Sequence, residues 1–171
     1  MKNHAASEGV WVRIDKKATG RPSLTYAEAL DGALCYGWID SQKRPGDGAS
    51  WLQRFGPRRP RSGWSRVNTE HALRLIKAGR MKAAGRREVE AARQDGRWQR
   101  AYDSPSRARV PEDFLKALSG NKAARACFAT LNRANVYAIA YRLQTARKPE
   151  TRERRLKSIV AMLARGERFH P

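Results

Sequence analysis

The stretch Gly56-Pro-Arg-Arg-Pro-Arg-Ser-Gly-Trp64 constrains this chain more than any other. Its two prolines lack the amide hydrogen that helices and inner strands use, and its two glycines weaken local order, so regular structure has to stop before it and restart after it. Three arginines, Arg58, Arg59 and Arg61, are thereby displayed on a semi-rigid connector between two aromatic anchors, Phe55 and Trp64.

Before the connector the pattern is mixed. Val10-Trp-Val-Arg-Ile14 is β-branched and aromatic and predicts a strand, closed by turn chemistry at Gly20 and Pro22. Thr25-Tyr-Ala-Glu28 has capping-box spacing, the hydroxyl accepting from one orphan amide and the carboxylate from another. A helix of about ten residues follows from it, burying Ala27, Leu30 and Leu34 and stopping at Gly37. Trp38-Ile-Asp40 resumes as a short strand. The Pro-Gly-Asp-Gly turn then lets residues 51–55 pair back as the second arm of a hairpin.

After the connector the periodicity becomes helical. Ser65 or Asn68 caps a helix with Val67, Leu73 and Ile76 inward and Gly79 as its stop, and a charged helix from Arg86 to Arg93 ends at Asp95-Gly96. Trp98 and Tyr102 are expected to dock back on the body. From Val110 every segment is helical: Pro111 with Phe114, Leu115 and Leu118 to Gly120, a helix capped by Asn121, one capped by Asn132 or Asn135, and a last one from Pro149 to about residue 165. In the last, Leu156, Ile159, Val160 and Leu163 keep the i, i+3, i+4, i+7 spacing. The expected architecture is α+β, a small antiparallel sheet with a packed helix followed by a C-terminal helical module. The expected parts are an α+β subdomain at 1–65, linking helices at 66–110 and the helical module at 111–171, forming one compact unit.

Charge narrows the function. The chain has 171 residues with 36 Lys or Arg against 16 Asp or Glu, a formal net charge of +20 that divides as +4 over 1–60, +8 over 61–110 and +8 over 111–171. Such an excess points to a polyanionic partner, nucleic acid above all. Low aliphatic content with high charge also suggests disorder, but 26 alanines, five tryptophans and five tyrosines add apolar surface, and the caps and stripes agree segment by segment. No run approaches the roughly 18 apolar residues of a membrane span and no secretory leader opens the chain, so a cytoplasmic location is expected. Cys35 and Cys127 have apolar neighbours and no zinc-type spacing, and three histidines are too few for a histidine cluster; no metal or cofactor is implied.

Three long motifs in the first part resemble the YdeI/OmpD-associated family, also called bacteriocin-protection proteins: Ser7-Glu-Gly-Val-Trp-Val-Arg-Ile-Asp-Lys-Lys17, Thr25 through Trp38-Ile-Asp40, and Trp51-Leu-Gln-Arg-Phe through Ser65. The tail is similar to that family's helical module in Pro111-Glu-Asp-Phe-Leu115, Leu131 to Tyr141 and Lys148-Pro-Glu-Thr-Arg-Glu-Arg-Arg155. The pattern departs at Ser41, where Gly is frequent, at Gly56, where Thr is usual, and in starting without the strand and helix that commonly precede Ser7. The resemblance implies tolerance of bacteriocins or cationic peptides, and it implies no reaction, cofactor or catalytic residue.

Two binding surfaces and one catalytic set can be drawn from the residues. Trp38, Asp40, Trp51, Arg54, Arg58, Arg59, Arg61 and Trp64 combine guanidinium forks with indole faces, the chemistry that recognises phosphate or carboxylate. Arg142, Arg152 and Arg155 lead a basic stripe on the last helices, suited to salt-sensitive phosphate contacts, with Tyr137 and Tyr141 one turn apart as core or as stacking groups. Acid-base chemistry would fall to Glu28, Asp31 and Asp40, yet the cap accounts for Glu28, Asp31 is expected on an exposed face, and no Ser-His-Asp, Cys-His or phosphate-loop pattern occurs. The leading expectation is a non-enzymatic protein binding nucleic acid or another polyanion. Stress tolerance through an acidic protein partner, and a small enzyme using Asp40 or Glu28, are the alternatives.

Overall fold

The structure, a computed structural model, describes residues 3–20 and 23–171; the turn expected at Pro22 lies outside them. The chain forms two compact units, residues 1–101 and residues 102–171. The class is α+β, with a three-stranded antiparallel sheet in the first unit and helices in both.

In the first unit β1 (Val10–Asp15), α1 (Tyr26–Cys35), β2 (Trp38–Pro45) and β3 (Ser50–Pro57) precede α2 (Arg66–Lys77) and α3 (Ala83–Gln94). The strand order is β1-β3-β2, with β3 central. The hairpin turn is held by Asp47, whose Oδ1 accepts from the Ser50 hydroxyl at 2.7 Å and the Ala49 amide at 3.2 Å, a local side-chain turn that sets the register. A register shift between Asp40 and Lys43 marks a bulge, and the buried Gln53 amide donates to the Gln42 carbonyl there at 3.1 Å.

The capping box at α1 forms as the spacing requires, with the Glu28 amide donating to Thr25 Oγ1 and the Thr25 amide donating to Glu28 Oε2. Leu30, Ala33 and Leu34 pack on Trp38 and Phe55 from the sheet, and the same core takes Trp64, Ala72, Leu75, Met81, Val89 and Ala92. Two expectations about inward faces are corrected. Ala27 is exposed and Ala29 is buried in its place, and in α2 the buried positions are Thr69, Ala72 and Leu75 while Leu73 stands 46% exposed. The buried face centres on Ala72: Ile76 lies beside it and packs against the core as expected, whereas Leu73 is about 100° away.

The second unit contains α4 (Glu112–Ser119), α5 (Lys122–Ala129), α6 (Arg133–Gln144) and α7 (Pro149–Ala164). Asn121 and Asn132 cap α5 and α6 through their side chains. Asn135 is no cap: it is buried, and its Oδ1 accepts from the Phe169 and His170 amides at 3.0 Å each, fixing the C-terminal segment. Phe114, Leu118, Ile139, Leu143, Ile159 and Leu163 make the core, with Leu115 45% exposed rather than inward. Trp98 packs on Trp64 at 5.0 Å in the first unit, whereas Tyr102 stacks edge-on against Tyr141 at 5.0 Å in the second.

Candidate functional site

Strand alternation sorts the sheet into two faces. Val12, Ile14 and Phe55 belong to the face that packs inward. Trp11, Arg13, Leu52, Arg54 and Arg44 belong to the other, because Trp11 pairs with Arg54, and Arg13 and Arg44 both pair with Leu52. On that outer face Trp11 is 36% exposed and the Arg44 guanidinium lies over its ring at 4.4 Å. Arg13 is bound by Asp15 and Asp47, while no carboxylate lies within ion-pair distance of Arg44 or Arg54 among the described residues. Arg54 instead donates to the Glu8 carbonyl at 3.1 Å.

Beyond Arg54 the outer face runs into a groove of about 730 Å³ walled by Glu8, Ile39, Ser41, Gln42, Arg59 and Pro60. Arg59 and Arg61 are exposed, as the connector geometry predicts. Arg58 is buried: its guanidinium sits 3.7 Å from the Trp64 ring centroid and donates to the Gly63 carbonyl at 3.2 Å and the Ser62 hydroxyl at 3.3 Å. It ties the connector down, with Trp64 buried beneath it.

The remaining sequence candidates separate. Trp38 is buried, its indole N–H donating to the His4 carbonyl at 3.1 Å, and Asp40 accepts from the Tyr26 hydroxyl at 2.9 Å. Trp51 is half-buried on the inward side, with Lys43 over its ring at 4.9 Å. The structure thus keeps Arg54 and Arg59 on one surface with Arg61 exposed on the adjoining turn, and turns Trp38, Arg58 and Trp64 to packing. Trp11 and Arg44 are the additions, and the period-2 alternation around buried Ile14 was the signal that places Trp11 outward.

In the second unit Arg152 is spent on Asp113, donating to Oδ1 through Nη2 at 3.0 Å and to Oδ2 through Nη1, and this pair holds the Asp113 carboxyl below its ordinary range. Arg142 and Arg155 line a cleft between α6 and α7 together with Arg154. Arg142 stacks on Phe169 at 3.8 Å, and Arg155 donates to the Arg142 carbonyl at 2.7 Å. Tyr137 and Tyr141 pack against each other at 5.8 Å, Tyr137 half-buried and Tyr141 36% exposed.

Among the acids, Glu28 is held below its ordinary value by the Thr25 hydroxyl and amide. Asp31 is buried, against the expectation of an exposed face, because Arg74 and His71 reach it from α2. No helix among the described residues is long and apolar enough to cross a membrane, and no three His, Cys, Asp or Glu residues are gathered there for a metal ion.

The architecture is that of a two-part α+β protein, a sheet-and-helix unit followed by a small helical one. Residues 1–88 match the family described as Domain of unknown function (DUF8412), and the chain belongs to that family. Residues 107–166 match the family described as Bacteriocin-protection, YdeI or OmpD-Associated, so the tail carries the domain its motifs resemble. The motifs between Ser7 and Ser65 fall within the first match. No curated protein and no solved structure matches the chain.

Proposed function

We propose that this protein binds nucleic acid in the cytoplasm without acting on it chemically, using the outer sheet face of the first unit. The observation that carries the reading is the exposed Trp11 ring with Arg44 over it and Arg54 beside it in register. A ring on a sheet face stacks an unpaired base, and guanidiniums that no carboxylate neutralises take the adjoining phosphates. Arg59 and Arg61 continue the positive track along the connector, and the net +20 draws any phosphate backbone toward it. The carboxylates considered for catalysis are engaged elsewhere, Glu28 in the α1 cap and Asp40 with Tyr26.

A fluorescence-anisotropy titration of a labelled single-stranded oligonucleotide about 16 nucleotides long tests this. Binding tighter than about 10⁻⁴ M at physiological salt, weakening steeply as salt rises, is expected. Trp11→Ala is expected to cost about 1–3 kcal/mol of affinity, the value of one stacked base. Absence of saturable binding, or a Trp11→Ala variant that binds equally well, refutes the reading.

The description of the C-terminal family favours a second reading, protection against bacteriocins or cationic peptides. A chain of +20 repels such peptides, so protection would run through an acidic protein partner. Unchanged sensitivity to cationic peptides after deletion of the gene removes this reading.

A further inference from the structure

The cleft between α6 and α7 is open to solvent and offers about 560 Å³, within the range of small-molecule sites. Its lining joins an apolar part, Ile159, Met162 and Phe169, to the three arginines Arg142, Arg154 and Arg155. No acidic residue lines it, and none of the three arginines has a carboxylate within ion-pair distance among the described residues. Two of the three are held in place. Arg142 is fixed over Phe169 and donates to the Ala138 carbonyl at 3.1 Å, and Arg155 donates to the Arg142 carbonyl at 2.7 Å and to the Thr145 hydroxyl at 3.5 Å. Arg154 is exposed at the mouth.

We propose that this cleft is a binding site for a small amphipathic anion, a phosphomonoester bearing an aromatic or acyl body. The dianionic head meets three cations of which two are preorganised, which lowers the ordering cost of binding, and guanidinium geometry suits phosphate oxygens bidentately. The body covers Met162 and the part of Phe169 that Arg142 leaves exposed, apolar surface that a free phosphate leaves wet. A nucleic-acid backbone is the poorer occupant, since its phosphodiesters carry one charge each and present no apolar group to the apolar part. The site thus goes beyond the sheet-face reading, with a different ligand in a different unit.

Calorimetric titration of the full chain with phenyl phosphate, inorganic phosphate and benzyl alcohol tests the proposal. Phenyl phosphate is expected to bind once per chain, at least about tenfold tighter than inorganic phosphate or benzyl alcohol, because each lacks one half of the recognised chemistry. Two exposed positions supply variants that leave the core intact. Arg154→Ala is expected to weaken phenyl phosphate about tenfold, and Ser158→Tyr, which fills the mouth, to abolish its binding. Equal binding of phenyl phosphate and inorganic phosphate, indifference to both variants, or absence of saturable binding overturns the proposal. Ser158→Tyr is expected to leave oligonucleotide binding unchanged and Trp11→Ala to leave phenyl phosphate binding unchanged. Loss of oligonucleotide binding in Ser158→Tyr would assign the cleft to the nucleic-acid surface and overturn the separate site.

Discussion

At Asp31 one carboxylate receives Arg74 Nη2 at 2.7 Å on each oxygen and lies 2.7 Å from His71 Nδ1, with Arg80 at 4.0 Å. Burial pushes its pKa up, and the hydrogen bonds from Arg74 and His71 bring it back below the ordinary 3.8. A carboxylate with a lowered folded-state value contributes stability that is complete above its unfolded pKa and is lost as pH falls through the folded one. The loss therefore belongs to the region below pH 3.8. Asp31→Asn is expected to cost about 2 kcal/mol at pH 7, less than a fully enclosed pair because Arg74 is half in solvent. Urea unfolding at pH 7 and pH 3 checks this, with the gap between the two proteins narrowing in acid.

Arg61 poses the opposite trade. Its φ of 63° is left-handed, a conformation that costs a side-chain-bearing residue about 1–2 kcal/mol. Arg61→Gly is expected to raise stability by about 0.5–1 kcal/mol, since glycine's larger unfolded entropy offsets part of the relief. Thermal unfolding measures the gain, and the oligonucleotide titration should register a loss of affinity in the same variant.

At the scale of elements, α3 approaches the end of α1 through Gly85. A methyl group there would lie 2.6 Å from the carbonyl oxygens of both Leu34 and Cys35, and would also meet the Met81 sulfur. Backbone carbonyls cannot swing aside, so Gly85→Ala is expected to destabilise by about 1–3 kcal/mol despite alanine's better helix propensity. Equilibrium urea unfolding decides, since a stabilised variant would contradict the close approach. Signals of this range separate what the sequence can disclose from what it cannot. Thr25 with Glu28, Ser65, Asn121 and Asn132 act within three residues of themselves, so the helix starts were legible from the chain alone. Asp31 looked exposed because its partners lie 40 and 43 residues away, and Arg58 looked available because Trp64 and Gly63 enclose it only once the connector turns back. Arg54 and Arg59 were legible as surface cations, but Arg44 joined them only through pairing across β3, which no local pattern encodes.

For the whole molecule the dominant quantity is the net +20. Exposed pairs such as Lys157 with Glu153 or Arg165 with Glu167 offset little of it, because surface ion pairs each contribute at most about 1 kcal/mol. Self-repulsion should therefore outweigh attraction at low salt. Raising ionic strength from about 0.01 to 0.15 M shortens the screening length from about 30 to 8 Å. The thermal midpoint is expected to climb by a few degrees across that range, by about 2–4 °C for each kcal/mol of repulsion relieved. A falling midpoint in differential scanning calorimetry would mean that the ion pairs govern instead.

The two hydrophobic cores have no residue in common, and the change from one unit to the next at 101–102 falls between the family matches ending at 88 and starting at 107. The boundary of packing therefore lies in the stretch that neither family match covers. A recombination event at 101–102 itself would cut no helix and split neither core, so each half would carry its own core into another gene.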